Sequence, residues 1–126
     1  MYNTVKYSLF RNEKCGQGYF LVDPTLKIGK DDHILPLDCI QCQTVLSKNM
    51  GPVSTWPDKL LVAKESGYNM IHFTPVQVIG PSNSAYSLSD QQHLDPKYEA
   101  DWSQIESLIH MMKNEWEMLR YILLNI

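Results

Sequence analysis

This sequence has no block of lysine and arginine and no run approaching the roughly 18 apolar residues that a membrane-spanning helix needs. Its formal net charge of -3 over 126 residues offers no electrostatic footprint for nucleic acid. Neither a nucleic-acid partner nor a membrane is therefore expected. There is no Gly-rich phosphate loop and no Gly-x-Ser-x-Gly elbow. There is no Asn-x-Ser/Thr acceptor site. Residues 1–14 are polar and mixed, without the apolar centre of a secretory signal. Cysteine is scarce. Three thiols cannot close a disulfide framework, and free thiols suit a reducing compartment, so a cytoplasmic location is expected.

What is present is ordinary for a folded chain: 44% apolar and 20% charged residues, in a length that suits one small domain. Tyr19-Phe20-Leu21-Val22 reads as a strand closed by Asp23-Pro24, and Gly29-Lys30-Asp31-Asp32 reads as a polar turn. Residues 43–49 read as a short helix before Gly51-Pro52. Thr55 is placed to cap a second helix, with Pro57 and Asp58 in its first turn and Gly67 as its left-handed stop.

Tyr68 to Val76 is apolar on both faces, the pattern of a strand buried on both sides in a parallel sheet. A long loop is expected from about residue 77 to residue 100. Asp101 and Gln104 then form a capping box. Behind it Trp102, Ile105, Ile109, Met112, Trp116 and Leu119 make an amphipathic helical stripe. Tyr121 to Ile126 is a candidate second strand. Helix, strand, loop, helix and strand in that order point to an α/β fold whose parent is a larger barrel or doubly wound sheet. A lone βα unit would leave the edges of the Met70–Val76 strand unpaired, so poor solubility is expected of the isolated chain.

The loop after Val76 leaves the carboxyl end of a buried parallel strand, the face that carries active sites in α/β barrels. Tyr86 in that loop suits stacking on a sugar ring, and equally suits packing the loop onto the body. His72, in mid-strand, reads as a sugar contact or as a hydrogen-bonded core histidine. Cys39 and Cys42, with Cys15 and His33, are the donors a zinc site would have to use, and no second pair at finger spacing supports one. A glycosidase needs two facing carboxylates. Asp38, Glu65 and Asp90 are acidic, yet none ends an identifiable strand. No catalytic residue, metal ligand or cofactor is assigned.

Residues 62–75, Val-Ala-Lys-Glu-Ser-Gly-Tyr-Asn-Met-Ile-His-Phe-Thr-Pro, resemble the first barrel strand and preceding helix of the eukaryotic glycogen debranching enzymes. Gly18 to Pro24 resembles the end of that family's N-terminal β domain. Leu35 to Cys39 with Gln43-Thr44 resembles the approach to the barrel, and Tyr86 to Gln91 resembles the loop after strand one. The likeness runs from about Gly18 to Met118.

The resemblance implies a partial (β/α)8 TIM barrel, with its first βα unit preceded by a short β segment. Residues 1–33 would end the β domain and 34–126 would begin an α-amylase-like barrel. It implies 4-α-glucanotransferase and amylo-α-1,6-glucosidase activities in glycogen breakdown, with glycogen or maltooligosaccharide as substrate. The transferase carboxylates would lie on later strands, so the rest of the enzyme would be missing here and this chain alone inactive. Tyr86 matches the tyrosine that stacks beside the scissile bond, and Ser84, Ser87 and Gln91 are expected rim contacts. The family's strand two should read Asp, three residues, then Asn-His. Here Tyr121 stands at the Asp position and Ile126 at the His position, which suggests a partial product. A non-catalytic glucan-binding module is the alternative.

Overall fold

The computed structural model describes residues 3–22 and 25–122. Strands β1 (Asn3–Arg11) and β2 (Glu13–Val22) form an antiparallel hairpin that turns at Asn12, whose φ is 63°. Cross-strand register puts Val5 opposite Phe20 and Tyr7 opposite Gly18. One face therefore gathers Val5, Tyr7, Leu9, Phe20 and Val22, all exposed. The expected strand at Tyr19 lies within β2 and starts earlier, at Glu13. Its expected close at Asp23-Pro24 lies outside the described residues.

Strands β3 (Leu26–Ile28) and β4 (His33–Leu35) form a second small hairpin around the expected polar turn. Gly29 there has φ 74°, and a Cβ would come within 2.9 Å of Glu117 Oε1. A side chain would thus be opposed chiefly by the backbone, since the Glu117 carboxylate sits at the end of a flexible side chain that can swing aside. The Gly29 N–H donates to the Lys113 carbonyl at 2.9 Å, which ties this hairpin to the last helix.

Next come strand β5 (Cys42–Val45), helix α1 (Trp56–Glu65) and strand β6 (Met70–Phe73). They are followed by β7 (Gln77–Ile79), β8 (Leu88–Leu94), helix α2 (Trp102–Glu115) and β9 (Leu119–Ile122). Strands β5, β6 and β9 lie side by side in that order, and both pairings are parallel. Two successive crossovers, one through α1 and one through α2, build this sheet. The architecture is mixed α/β.

Four expectations are corrected here. Residues 43–49 are not a helix. Cys42–Val45 is a strand and only Ser47–Asn49 makes a short 3-10 turn. Pairing with β6 gives Gln43, Thr44 and Val45 a backbone ladder that an isolated seven-residue helix could not match. In consequence β6 is the second parallel strand in chain order, not the first. It is also central, with β5 on one edge and β9 on the other, so the expected unpaired edges of Met70–Val76 are absent over Met70–Phe73. Finally, the segment from 77 to 100 is not structureless, since β7 and β8 pair within it. The expected last strand is present as Leu119–Ile122, and residues 123–126 lie outside the described residues.

The core sits between the parallel sheet and the two helices. Ile71 and Phe73 of β6 are buried against Trp56, Leu60 and Ala63 of α1 and against Ile105, Leu108 and Met112 of α2. Trp56 stacks on Phe73 with ring centroids 5.5 Å apart and meets Tyr98 edge-on at 5.5 Å. Trp102 does not belong to the buried stripe. It opens α2 directly after the cap and is exposed, and Leu108 takes the inner position instead.

The helix ends follow the sequence closely, with one exception. Asp101 accepts from the Gln104 N–H while the Gln104 side chain accepts from the Asp101 N–H, each at 2.9 Å. After α1, the Gly67 N–H donates to Lys64 and the Tyr68 N–H donates to Ala63, with Gly67 at φ 89°. That is the Schellman arrangement. Thr55 does not cap α1. It is already in a helical conformation within the 3-10 turn Val53–Thr55, and its hydroxyl donates back to Pro52.

Candidate functional site

The parallel strands fix where a site can be. Their carboxyl ends release the Leu46–Met50 segment after β5 and the Thr74–Val76 segment after β6. These two exits are stitched together. The Ser47 N–H donates to Thr74 Oγ1 at 2.9 Å, and Ser47 Oγ donates to the Thr74 carbonyl at 2.6 Å. Thr74 N–H in turn donates to the Val45 carbonyl. Ser47 and Thr74 are both fully buried, so this polar pair is satisfied inside the body.

From that base β7 and β8 rise as an antiparallel hairpin whose loop carries the candidate sugar contacts. The loop holds itself in shape. Gly80 N–H donates to Ser87 O at 2.6 Å, Asn83 N–H to Gly80 O at 2.9 Å, and Ser87 N–H to Ser84 O at 3.2 Å. Asn83 takes φ 54°, a conformation asparagine tolerates better than most residues. One bond comes from outside: the Lys48 ammonium, in the segment after β5, donates to the Asn83 carbonyl at 2.7 Å.

Ser84, Tyr86 and Ser87 are brought together in this loop, and all three are exposed. Ser84 Oγ accepts from the Tyr86 N–H at 3.4 Å. Tyr86 as a residue is 47% exposed, so it is not consumed in packing the loop down. Gln91 lies outside the loop. It sits in an irregularity of β8, where Val78 pairs with Asp90 and Gln77 pairs with Leu94. The Asp90 carboxylate closes that bulge by accepting from the Gln92 and His93 N–H groups and from His93 Nδ1, the last at 2.7 Å. The Gln92 N–H above all, and then His93, hold the Asp90 carboxyl below the usual carboxylate range.

These elements can be compared with known proteins. The family model described as "Glycogen debranching enzyme, glucanotransferase domain" matches residues 33–124. A glycogen debranching enzyme from Saccharomyces cerevisiae is 36% identical over 118 residues, covering 90% of this chain. The chain belongs to the glycogen debranching enzyme family. It spans 7% of the length of that yeast relative.

The glucanotransferase match takes in β4 to β9 and with them the whole hairpin loop. His72, in mid-β6, faces its register partner Thr44, whose Oγ1 lies 3.1 Å from His72 Nδ1, and the histidine is half-buried. Cys15, Cys39 and Cys42 are exposed free thiols. Among the described residues no group of three or more His, Cys, Asp or Glu side chains could hold a metal ion, so the zinc reading through Cys15, His33, Cys39 and Cys42 has no geometry behind it. A groove of about 340 Å³ lies on the helix side, lined by Val53, Pro57, Leu108 and Met111 among others, and none of the four candidate contacts lines it.

Lys48 and the Asp90–His93 pair were not legible as parts of this region. Lys48 sits 35 positions before Asn83, and only the parallel pairing of β5 with β6 brings the two segments to one end of the sheet. The spacing of Asp90 and His93, three apart, was a visible hint of a local pair.

Proposed function

We propose that this chain forms part of the glucan-handling surface of a glucanotransferase, with Tyr86 as its principal sugar contact. The observation that carries the reading is the half-exposed Tyr86 ring, held in a loop on the carboxyl side of a central parallel strand. In α/β barrels that side carries the active site. The flat face of an aromatic ring complements the apolar face of a glucose unit, and serine hydroxyls can exchange hydrogen bonds with sugar hydroxyls. Ser84, Ser87 and Gln91 supply such groups. Residues 1–33 end a preceding β domain in this reading, and residues 34–126 begin the α-amylase-like barrel.

The substrate class is glycogen or a maltooligosaccharide, and the setting is cytoplasmic glycogen breakdown. The reaction of the whole enzyme is 4-α-glucan transfer followed by amylo-α-1,6-glucosidase cleavage. Retaining transfer needs a carboxylate nucleophile and a second carboxyl group as acid and base. Neither is assigned to any residue here, so the 126-residue chain binds glucan without turning it over.

Titration with maltopentaose, followed by intrinsic fluorescence, tests the reading. A saturable response is expected, weakened about three- to tenfold in Tyr86→Ala, the scale of one aromatic contact. A flat titration of the wild-type chain would remove the glucan assignment. Robust disproportionation of maltopentaose by the purified chain would remove the inactive part of it.

A further inference from the structure

We infer that Lys48 is a positioning residue for the sugar-facing loop: its ammonium fixes the tip that presents Ser84, Tyr86 and Ser87. This deepens the glucan reading and rests on it.

The geometry is asymmetric in a way that gives Lys48 the role. The loop between β7 and β8 has three backbone bonds, Gly80 to Ser87, Asn83 to Gly80 and Ser87 to Ser84, and each joins two residues of the loop itself. Such bonds fix its internal shape, and the β7–β8 pairing anchors its base, but none of them reaches from the tip to the body. The side chain of Ser89 donates to the Val78 and Ile79 carbonyls and steadies only the base of the hairpin. Lys48 acts on the tip from a different segment, at 2.7 Å from the Asn83 carbonyl.

The origin of that bond is itself rigid. Lys48 follows Ser47, which is buried and bonded twice to Thr74. The carbonyls of Leu46 and Ser47 then close the 3-10 turn around Lys48 by accepting from Asn49 and Met50. Lys48 as a whole is half-buried, which restricts the positions open to its side chain. A charged donor on a neutral carbonyl also makes a stronger bond than a neutral pair. Asn83 stands next to Ser84 and three positions before Tyr86. Holding its carbonyl therefore sets the direction in which the following residues project. Pre-ordering a loop lowers the ordering cost that a ligand must otherwise meet on binding.

Lys48 needs no contact with the sugar for this, which separates positioning from direct binding in experiment. The variants are Lys48→Met, which keeps the stem and removes the donor, and Lys48→Arg, which keeps a charged donor. Two readouts are taken on the full chain: hydrogen exchange of the amides in residues 80–87, and maltoheptaose affinity. Thermal denaturation is followed in parallel.

Lys48→Met is expected to speed exchange in residues 80–87 at least about threefold and to weaken maltoheptaose about three- to tenfold, the scale of one partly exposed charged bond. Exchange in α2 and the melting temperature should stay near wild type, and Lys48→Arg should restore most of both losses. Unchanged loop exchange in Lys48→Met overturns the positioning role, and does so even if affinity falls, since that pattern means direct contact. A global loss of protection in Lys48→Met also overturns it, because the residue would then be supporting the fold. If the wild-type chain binds no maltoheptaose, the glucan reading fails and this inference falls with it, whereas binding that depends on Tyr86 but not on Lys48 sinks this inference alone.

Discussion

Ser47 donates two hydrogen bonds to Thr74 across the exits of neighbouring parallel strands, and both residues are inaccessible to solvent. Thr74→Val keeps the volume and removes the Oγ1 acceptor, leaving the Ser47 N–H buried without its partner. Stability should fall by about 1–3 kcal/mol, the cost of an orphaned buried donor. A urea midpoint shifted down at unchanged slope is the expected observation.

Tyr98 is fully buried between Trp56 and the Lys97 side chain, and its hydroxyl has no hydrogen-bond partner among the described residues. Burial first, and then the Asp95 carboxylate, push its ionisation well above the usual tyrosine range. Tyr98→Phe keeps the ring contacts and deletes the unpaired polar atom. It should be neutral or stabilising, by up to about 1–2 kcal/mol, instead of showing the loss usual for a core substitution. A clearly destabilised Tyr98→Phe would mean that the hydroxyl does find a partner.

The sequence was readable where local chemistry decides structure. The Asp101–Gln104 box, the Gly67 stop and the two-faced apolar strand around Ile71 each declare themselves within a few residues. It was unreadable where distant pairing decides. Gln43 to Val45 is short and of mixed polarity, and becomes a strand because β6 lies beside it. Ser89 to His93 is polar throughout, and is a strand because β7 returns to meet it through two register shifts. Missing β5 also cost the order of the parallel strands, since Met70–Phe73 then looked like the first. In the candidate loop, family likeness singles out Tyr86, Ser84 and Ser87 as expectations, whereas the bond from Lys48 to the loop required the fold.

Gly67 offers a test free of packing effects. Its φ is 89°, and a Cβ there would meet nothing within 4 Å. Gly67→Ala therefore reads backbone strain alone. A loss of about 1–2 kcal/mol is expected, with Gly67→Asn losing less because asparagine enters the left-handed region more readily. Equal losses for Ala and Asn would contradict the capping account of why α1 ends where it does.

Three aspartates are held below the usual carboxylate range by local hydrogen bonds, and each should add to acid sensitivity. Asp101 is held below its usual range by the Ser103 hydroxyl first and then by the Gln104 N–H. Asp90 is held down by the Gln92 N–H first and then by His93. For Asp95, burial is the largest influence and pushes its ionisation up, but the Lys97 N–H, the Lys97 ammonium and the Ile79 N–H together leave it lowered. A carboxylate whose folded value is depressed contributes stability above its unfolded value, near about 4, and loses that contribution as pH falls through the folded value. The urea midpoint should therefore be flat with respect to these groups from about pH 7 to 5 and should drop below about pH 4. Asp101→Asn keeps an N-cap acceptor without the titrating charge, so its acid-side drop should be shallower than that of wild type. If Asp101→Asn and wild type fall in parallel below pH 4, the α2 cap is not a source of the acid sensitivity, and Asp90 and Asp95 must carry it.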